Sequence, residues 1–210
     1  MTRRAWIVIL LWLLAIALAT TIDAPIARVA RSSGIEDFLR SHKVLRETIK
    51  APGYFPYTLM LVVLPVCFLH PDRWRAGLFA FLATLTAASN QLFKWIAGRT
   101  RPFKPPDGSG ALAPFMLNPF PGDGKNLCFP SGHACLAFAT AAALAILCPR
   151  SRWRWTFFLV ATVVAAERVA ENAHWFSDTV AAAALGIGGA HLVRWLFKSW
   201  KINLAPTSRS

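Results

Sequence analysis

The chain has 210 residues, 55% of them hydrophobic, with 9 Trp, 15 Phe and a mean hydropathy of +0.43. Its repeated apolar runs approach the ~20 residues that cross a ~30 Å hydrocarbon core, which argues against an ordinary water-soluble domain. The formal charge of +13 sits in short segments between those runs and at their ends. With no continuous basic face, that charge points to phosphate or anionic lipid headgroups and away from nucleic acid.

The first apolar run, Ala5 to Ile22, follows Arg3 and Arg4. Ala15, Ala17 and Ala19 resemble a signal-peptide cleavage region, but the run is long and more membrane follows, so an uncleaved first span is expected. Residues 23–53 are polar and basic. Within them Ile35, Phe38, Leu39, Leu45 and Ile49 recur at helical spacing, with Arg40, Lys43, Arg46 and Lys50 between. That pattern suits an amphipathic helix, either lying in the membrane interface or packed on the spans. Further runs cover Tyr54–Leu69, Ala76–Ile96, Gly132–Leu147, Trp153–Val169 and Thr179–Phe197. The expected architecture is therefore all-α and polytopic: six transmembrane helices in a single domain over 1–210, with an interfacial amphipathic helix between the first and second.

Two connections are short and basic, one at His70–Arg75 and one at Pro149–Arg152, and both favour the cytoplasmic side. The opposite helix ends would then face the periplasm or exterior, with the protein in a bacterial inner membrane. The Gly/Pro-rich segment from Gly98 to Pro130 is long and irregular, as functional loops are. Its Phe115, Met116, Leu117 and Phe120 suit an apolar lip. The cysteines Cys67, Cys128, Cys135 and Cys148 lack metal-finger spacing and read as small hydrophobes, with Cys128 and Cys148 near opposite membrane faces.

Charged and polar residues near span ends carry the chemical signal, because placing them there is costly. Lys94 and Arg101 stand seven apart, two turns along one face if the helix persists, before Pro102 stops it. Alone, Lys94 also reads as a snorkelling lysine. Pro130-Ser131-Gly132-His133 opens the fourth run. Ser131 is placed to cap the helix, whose N-terminal amides and dipole suit an anion, although a plain capped helix fits as well. Arg168, His174 and Asp178 join the last two runs. His174 and Asp178 would meet if both were helical, the carboxylate fixing the imidazole tautomer; a purely structural histidine remains the alternative.

In order and spacing, Lys94-x6-Arg101-Pro102, Pro130-Ser131-Gly132-His133 and Arg168-x5-His174-x3-Asp178 resemble the tripartite signature of the type 2 phosphatidic-acid phosphatase superfamily. The resemblance covers a motif core from 94 to 178 and leaves the basic segment at 23–53 outside. It implies a lipid phosphate phosphatase working through a phosphohistidine without metal or other cofactor. Lys94, Arg101, Arg168, Ser131 and the Gly132 amide would hold phosphate. His174 would attack phosphorus, oriented by Asp178, and His133 would protonate the leaving oxygen. The substrates this implies are polyprenyl diphosphate, phosphatidylglycerophosphate, phosphatidate or lipid A 1-phosphate, with membrane lipids as the other partners.

Glu167 departs from the pattern, which usually has a small residue before the third-motif arginine. Its carboxylate either faces the phosphate or turns away toward another helix. A lipid-phosphate-binding transporter or scaffold would need the cations but not both histidines and Asp178. A zinc hydrolase using His133, His174 and Asp178 would place a dication among three cations. The soluble vanadium haloperoxidases share the signature but not the apolar spans.

Overall fold

The computed structural model describes residues 3–102, 118–120, 126–149, 152–202 and 204. Among them there is no strand, only an isolated bridge between Thr100 and Leu127. The first helix, α1 (Arg3–Ser32), continues past the apolar run through Asp23 and Pro25, and stops before Gly34, whose φ of 73° is left-handed. Two short helices follow where one amphipathic helix was expected: α2 (Ile35–Ser41) and α3 (Lys43–Lys50). They break at His42, whose ring Nδ1–H donates to the Phe38 carbonyl at 2.9 Å.

A 3-10 turn at Ala51–Gly53 leads into α4 (Phe55–Thr58) and α5 (Leu64–Leu69), joined by a π-helical turn at Leu59–Val63. Pro65 lacks the N–H that would continue an α-helical ladder, which accounts for the looser winding before it. α6 (Arg73–Leu85) and α7 (Asn90–Ala97) likewise form one apolar stretch tightened by a 3-10 turn at Thr86–Ser89. There the Thr84, Thr86 and Ser89 hydroxyls donate to carbonyls three residues back. α8 (Gly132–Leu147), α9 (Arg154–Ala170) and α10 (Phe176–Ser199) complete the bundle.

All six expected apolar runs are helical, but not all are long enough to count as spans. Arg3–Ser32, Arg73–Ala97 and Phe176–Ser199 are long and apolar enough to cross a membrane. The pair Lys43–Gly53 and Phe55–Leu69, bent by 64°, makes a fourth if taken as one broken span. α8 and α9 have 16 and 17 residues, and at 1.5 Å per residue α8 is roughly 24 Å long, short of a ~30 Å core.

α8 is the central helix, buried by α10, α9 and α6. Its Ala134, Cys135, Ala139 and Ala143 are fully buried, and such small side chains let helix backbones approach closely. At Gly186 of α10 a Cβ would collide with the Cys135 carbonyl of α8, so this crossing requires glycine. Away from the α8 N-terminus, Phe79 and Phe197 meet edge to face at 5.5 Å and close the core. α1 joins through Ala19, Asp23, Ala27 and Ala30, a stripe of small residues and one carboxylate buried on one face against α10.

Candidate active site

The three motifs meet at one end of this bundle. A cavity of about 530 Å³ there is lined by Lys94, Arg101, Gly132, His133, Arg168 and His174, with Asn90 and Tyr54 among its other walls. Ser131 and Asp178 are buried directly behind it, with no exposed surface. A larger groove of about 610 Å³ between α1, α9 and α10 has no charged residue in its lining and is no candidate for the chemistry.

Lys94 and Arg101 reach the cavity differently from the expected shared helical face. α7 ends at Gly98, not at Pro102, in a left-handed turn (φ 58°) whose N–H donates to the Lys94 carbonyl at 2.8 Å. A side chain at Gly98 would collide with the Asn118 carbonyl. The chain therefore turns after Lys94 and brings Arg101 back to the same space from a loop. Of the apolar lip, Phe115, Met116 and Leu117 lie outside the described residues; Phe120 is exposed, its N–H donating to the Trp95 carbonyl at 2.8 Å.

Ser131 stands at the N-cap of α8, but its hydroxyl makes no capping bond. Ser131 Oγ, His133 Nε2 and Asn90 Nδ2 are buried without a hydrogen-bond partner among the described residues. Each such group costs roughly 1–3 kcal/mol unless something binds it. A ring of unsatisfied polar atoms beside a helix N-terminus and three cationic side chains is what an oxyanion ligand would satisfy. Gly132 permits this closeness, since a Cβ there would lie 2.7 Å from Asn90 Nδ2. Gly53 does the same on the other side, where a Cβ would lie 2.8 Å from that of His133. Tyr54 sets its ring edge to face with His133 at 4.6 Å.

His174 lies in the turn before α10, not within a helix, and Asp178 is the third residue of α10. The two still meet, His174 Nδ1 lying 3.5 Å from Asp178 Oδ2, a separation that ligand-induced tightening would turn into a hydrogen bond. Asp178 Oδ2 also accepts the Trp175 N–H at 3.0 Å, closing the helix N-terminus. Burial pushes the His174 pKa below its ordinary value, and Asp178 pulls it the other way. An Nδ1–H turned toward Asp178 leaves the Nε2 lone pair for the cavity.

Arg168 is not a bare cation. Its Nε and Nη2 donate to both oxygens of buried Glu167, at 2.6 and 2.7 Å, and Nη2 also meets Glu171. Glu171 accepts from Arg46 of α3 at 3.0 Å, so the basic segment is tied to the third motif. Glu167 thus neither points to another helix nor stands alone toward phosphate; it grips its own neighbour. Nη1 of Arg168 has no partner among the described residues.

Residues 75–201 match the PAP2 superfamily profile, which covers more than half of the chain and all three motifs. The chain belongs to the PAP2 superfamily. Among curated relatives, a lipid A 1-phosphatase of Rhizobium johnstonii is 33% identical over 113 residues, 54% of this chain and 44% of that protein. A lipid A 1-phosphatase of Rhizobium etli is 36% identical over 110 residues, 51% of this chain and 45% of that one. The chain thus spans just under half the length of these relatives. No solved structure matches it.

Around the PAP2 motifs the structure adds residues that sequence reasoning passes over. Asn90 precedes Lys94 by one helical turn, and that spacing was the available signal. Asp23 is the one carboxylate in the first apolar helix, a costly placement that marks it. Arg99 sits inside the first motif. Nothing in the sequence singles out Gly53 and Tyr54, which reach His133 only through the tertiary fold. Among the described residues no three His, Cys, Asp or Glu side chains converge as a metal site. His133, His174 and Asp178 are therefore not arranged as zinc ligands.

Proposed function

We propose that this PAP2 chain is a bacterial membrane lipid phosphatase that hydrolyses a phosphate ester or diphosphate through a phosphohistidine, with lipid A 1-phosphate the leading substrate. The observation that carries the reading is the single cavity that joins Lys94, Arg101 and Arg168 to His133 and His174, with unsatisfied buried donors around them. The names of the Rhizobium relatives support the substrate.

In this reaction Lys94, Arg101, Arg168 Nη1, Ser131 and the Gly132 amide hold the phosphate oxygens. His174 Nε2 attacks phosphorus, and the bond to the lipid oxygen breaks as His133 gives that oxygen a proton. Water then attacks the phosphohistidine, passing a proton to His133, and inorganic phosphate leaves with His174 restored. Three cations stabilise the equatorial oxygens, the work a divalent cation does in other phosphoryl transfers, so activity is expected to persist in EDTA. The reacting phosphate sits at headgroup depth, at helix ends on the periplasmic side of six membrane-crossing segments, with α2 and α3 in the interface.

The test is phosphate release by the purified protein from lipid A 1-phosphate, phosphatidate, phosphatidylglycerophosphate and polyprenyl diphosphate, beside His174→Ala. Turnover of at least one lipid that His174→Ala abolishes supports the reading. Tight lipid-phosphate binding with no release from any of the four would favour a non-hydrolytic carrier.

A further inference from the structure

Behind the cavity, Asp178 belongs to a buried network that the proposed chemistry does not use. Its Oδ1 accepts from Arg99 Nη1 at 2.7 Å, while Oδ2 faces Trp175 and His174. Arg99 also donates Nη1 to Ser177 Oγ at 2.7 Å and Nη2 to Asp23 Oδ2 at 2.8 Å. Asp23, on α1, further accepts the Ser177 N–H at 2.8 Å and the Ser177 hydroxyl at 2.5 Å. The Arg99 guanidinium lies over the Trp175 ring, 4.8 Å from its centre. Asp23, Arg99 and Asp178 are each under 5% exposed.

Burying two carboxylates and a guanidinium is expensive, and apolar residues would hold α1 to α10 with less penalty. Two of its contacts fix one group directly. With Arg99 on one oxygen and the Trp175 amide on the other, the Asp178 carboxylate has one orientation, the one that turns Oδ2 toward His174 Nδ1. Asp23 holds the far side of Arg99 and also sets the charge. A lone Arg99 would neutralise Asp178; shared between two carboxylates, it leaves Asp178 net negative toward His174.

We propose that Asp23 of α1 and Arg99 of the turn after α7 are positioning residues for the hydrolytic step, orienting the Asp178 carboxylate and preserving its charge for His174. The inference rests on the phosphohistidine reading and adds a role for α1, whose Asp23 lies outside the 75–201 stretch matched by the family. Besides Asp178, the groups facing His174 are Lys94 and Arg101 from the α7 side, Arg168 from α9 and His133 from α8. Changing Asp23 alters none of them directly.

Asp23→Asn keeps the shape and an acceptor for the Ser177 N–H while removing the charge. Steady-state kinetics with the lipid phosphate that the wild-type enzyme hydrolyses fastest should show kcat reduced about 10-fold or more and KM within about twofold. The acid limb of the pH–rate profile should move to lower pH, because Arg99 then offsets more of the Asp178 charge and His174 is less basic. Arg99→Met should lose roughly 10²-fold or more in kcat, and Arg99→Lys should recover part of it. Melting temperatures measured alongside separate this from a folding defect. Wild-type kcat and pH profile in Asp23→Asn, or a loss that follows melting temperature alone with the pH profile unmoved, would overturn the inference while an inactive His174→Ala left the reaction standing. Equal turnover by His174→Ala and wild type would remove the phosphohistidine reading and this inference with it.

Discussion

Glu167 makes the third motif unusual, and its contact with Arg168 gives a quantitative prediction. Glu167 occupies the Nε and Nη2 edge of the guanidinium, so a phosphate held by Nη1 lies on the opposite side. A carboxylate ~4 Å from the guanidinium carbon and a phosphorus ~4 Å beyond it are roughly 8 Å apart. At an effective dielectric near 20, the repulsion between unit charges at that distance is about 2 kcal/mol. Glu167→Gln removes the charge and keeps one oxygen to accept from Nε, so the orientation of Arg168 survives. KM for the lipid phosphate should therefore fall about 10- to 30-fold, with kcat changed far less and some loss of thermal stability from the altered buried pair. Detergent-micelle kinetics, with substrate expressed as mole fraction, measure this directly. An unchanged or raised KM would contradict this repulsion, because it would mean that Arg168 does not meet the phosphate or that Glu167 matters only for placing it.

Three further outcomes follow from the same geometry. His174 must be neutral to attack, and burial depresses its pKa, so kcat/KM should fall with decreasing pH along a limb centred below the ordinary ~6.5, and Asp178→Asn should move that limb lower still; a limb above 6.5 would contradict the assignment. Cys128 is wholly buried, with Sγ donating to the Thr100 carbonyl at 3.1 Å and burial pushing its pKa up, so it should resist maleimide from either side of the membrane. Exposed Cys148 should react with an impermeant maleimide only after the cytoplasmic face is opened, in a chain carrying Cys67→Ala; labelling on intact cells would invert the topology. Finally, tail burial at ~0.8 kcal/mol per CH₂ should give a long-chain lipid phosphate a kcat/KM at least roughly 10²-fold above a sugar phosphate, and equal efficiency on glucose phosphate would contradict a lipid substrate.

The motif residues were legible because their chemistry is local: a proline, serine and glycine opening an apolar run, or a histidine four residues from an aspartate, leave a mark in one segment. Their manner of meeting was not. Lys94 and Arg101 reach one cavity through a break at Gly98, and His174 meets Asp178 from a turn, because a helix cap overrides simple periodicity. The apolar runs marked every long helix, but that α8 is the one the others surround is settled by tertiary packing. Ion-pair partners were least legible. Arg99 and Asp23 are 76 residues apart in sequence, and Arg46 and Glu171 are 125, so only the tertiary fold joins them. The grip of Glu167 on Arg168 is adjacent in sequence but depends on side-chain rotamers, which no spacing rule reports.

The most direct test of a phosphohistidine on His174 is a rapid-quench single turnover with lipid A 1-phosphate carrying radiolabelled phosphate. Attack by His174 predicts label on the protein that is stable to base, released by acid, and absent from His174→Ala. Asp178→Asn should form it roughly 10²–10⁴-fold more slowly. Phosphate released at the full wild-type rate by His174→Ala, with no labelled protein at any time, would contradict it.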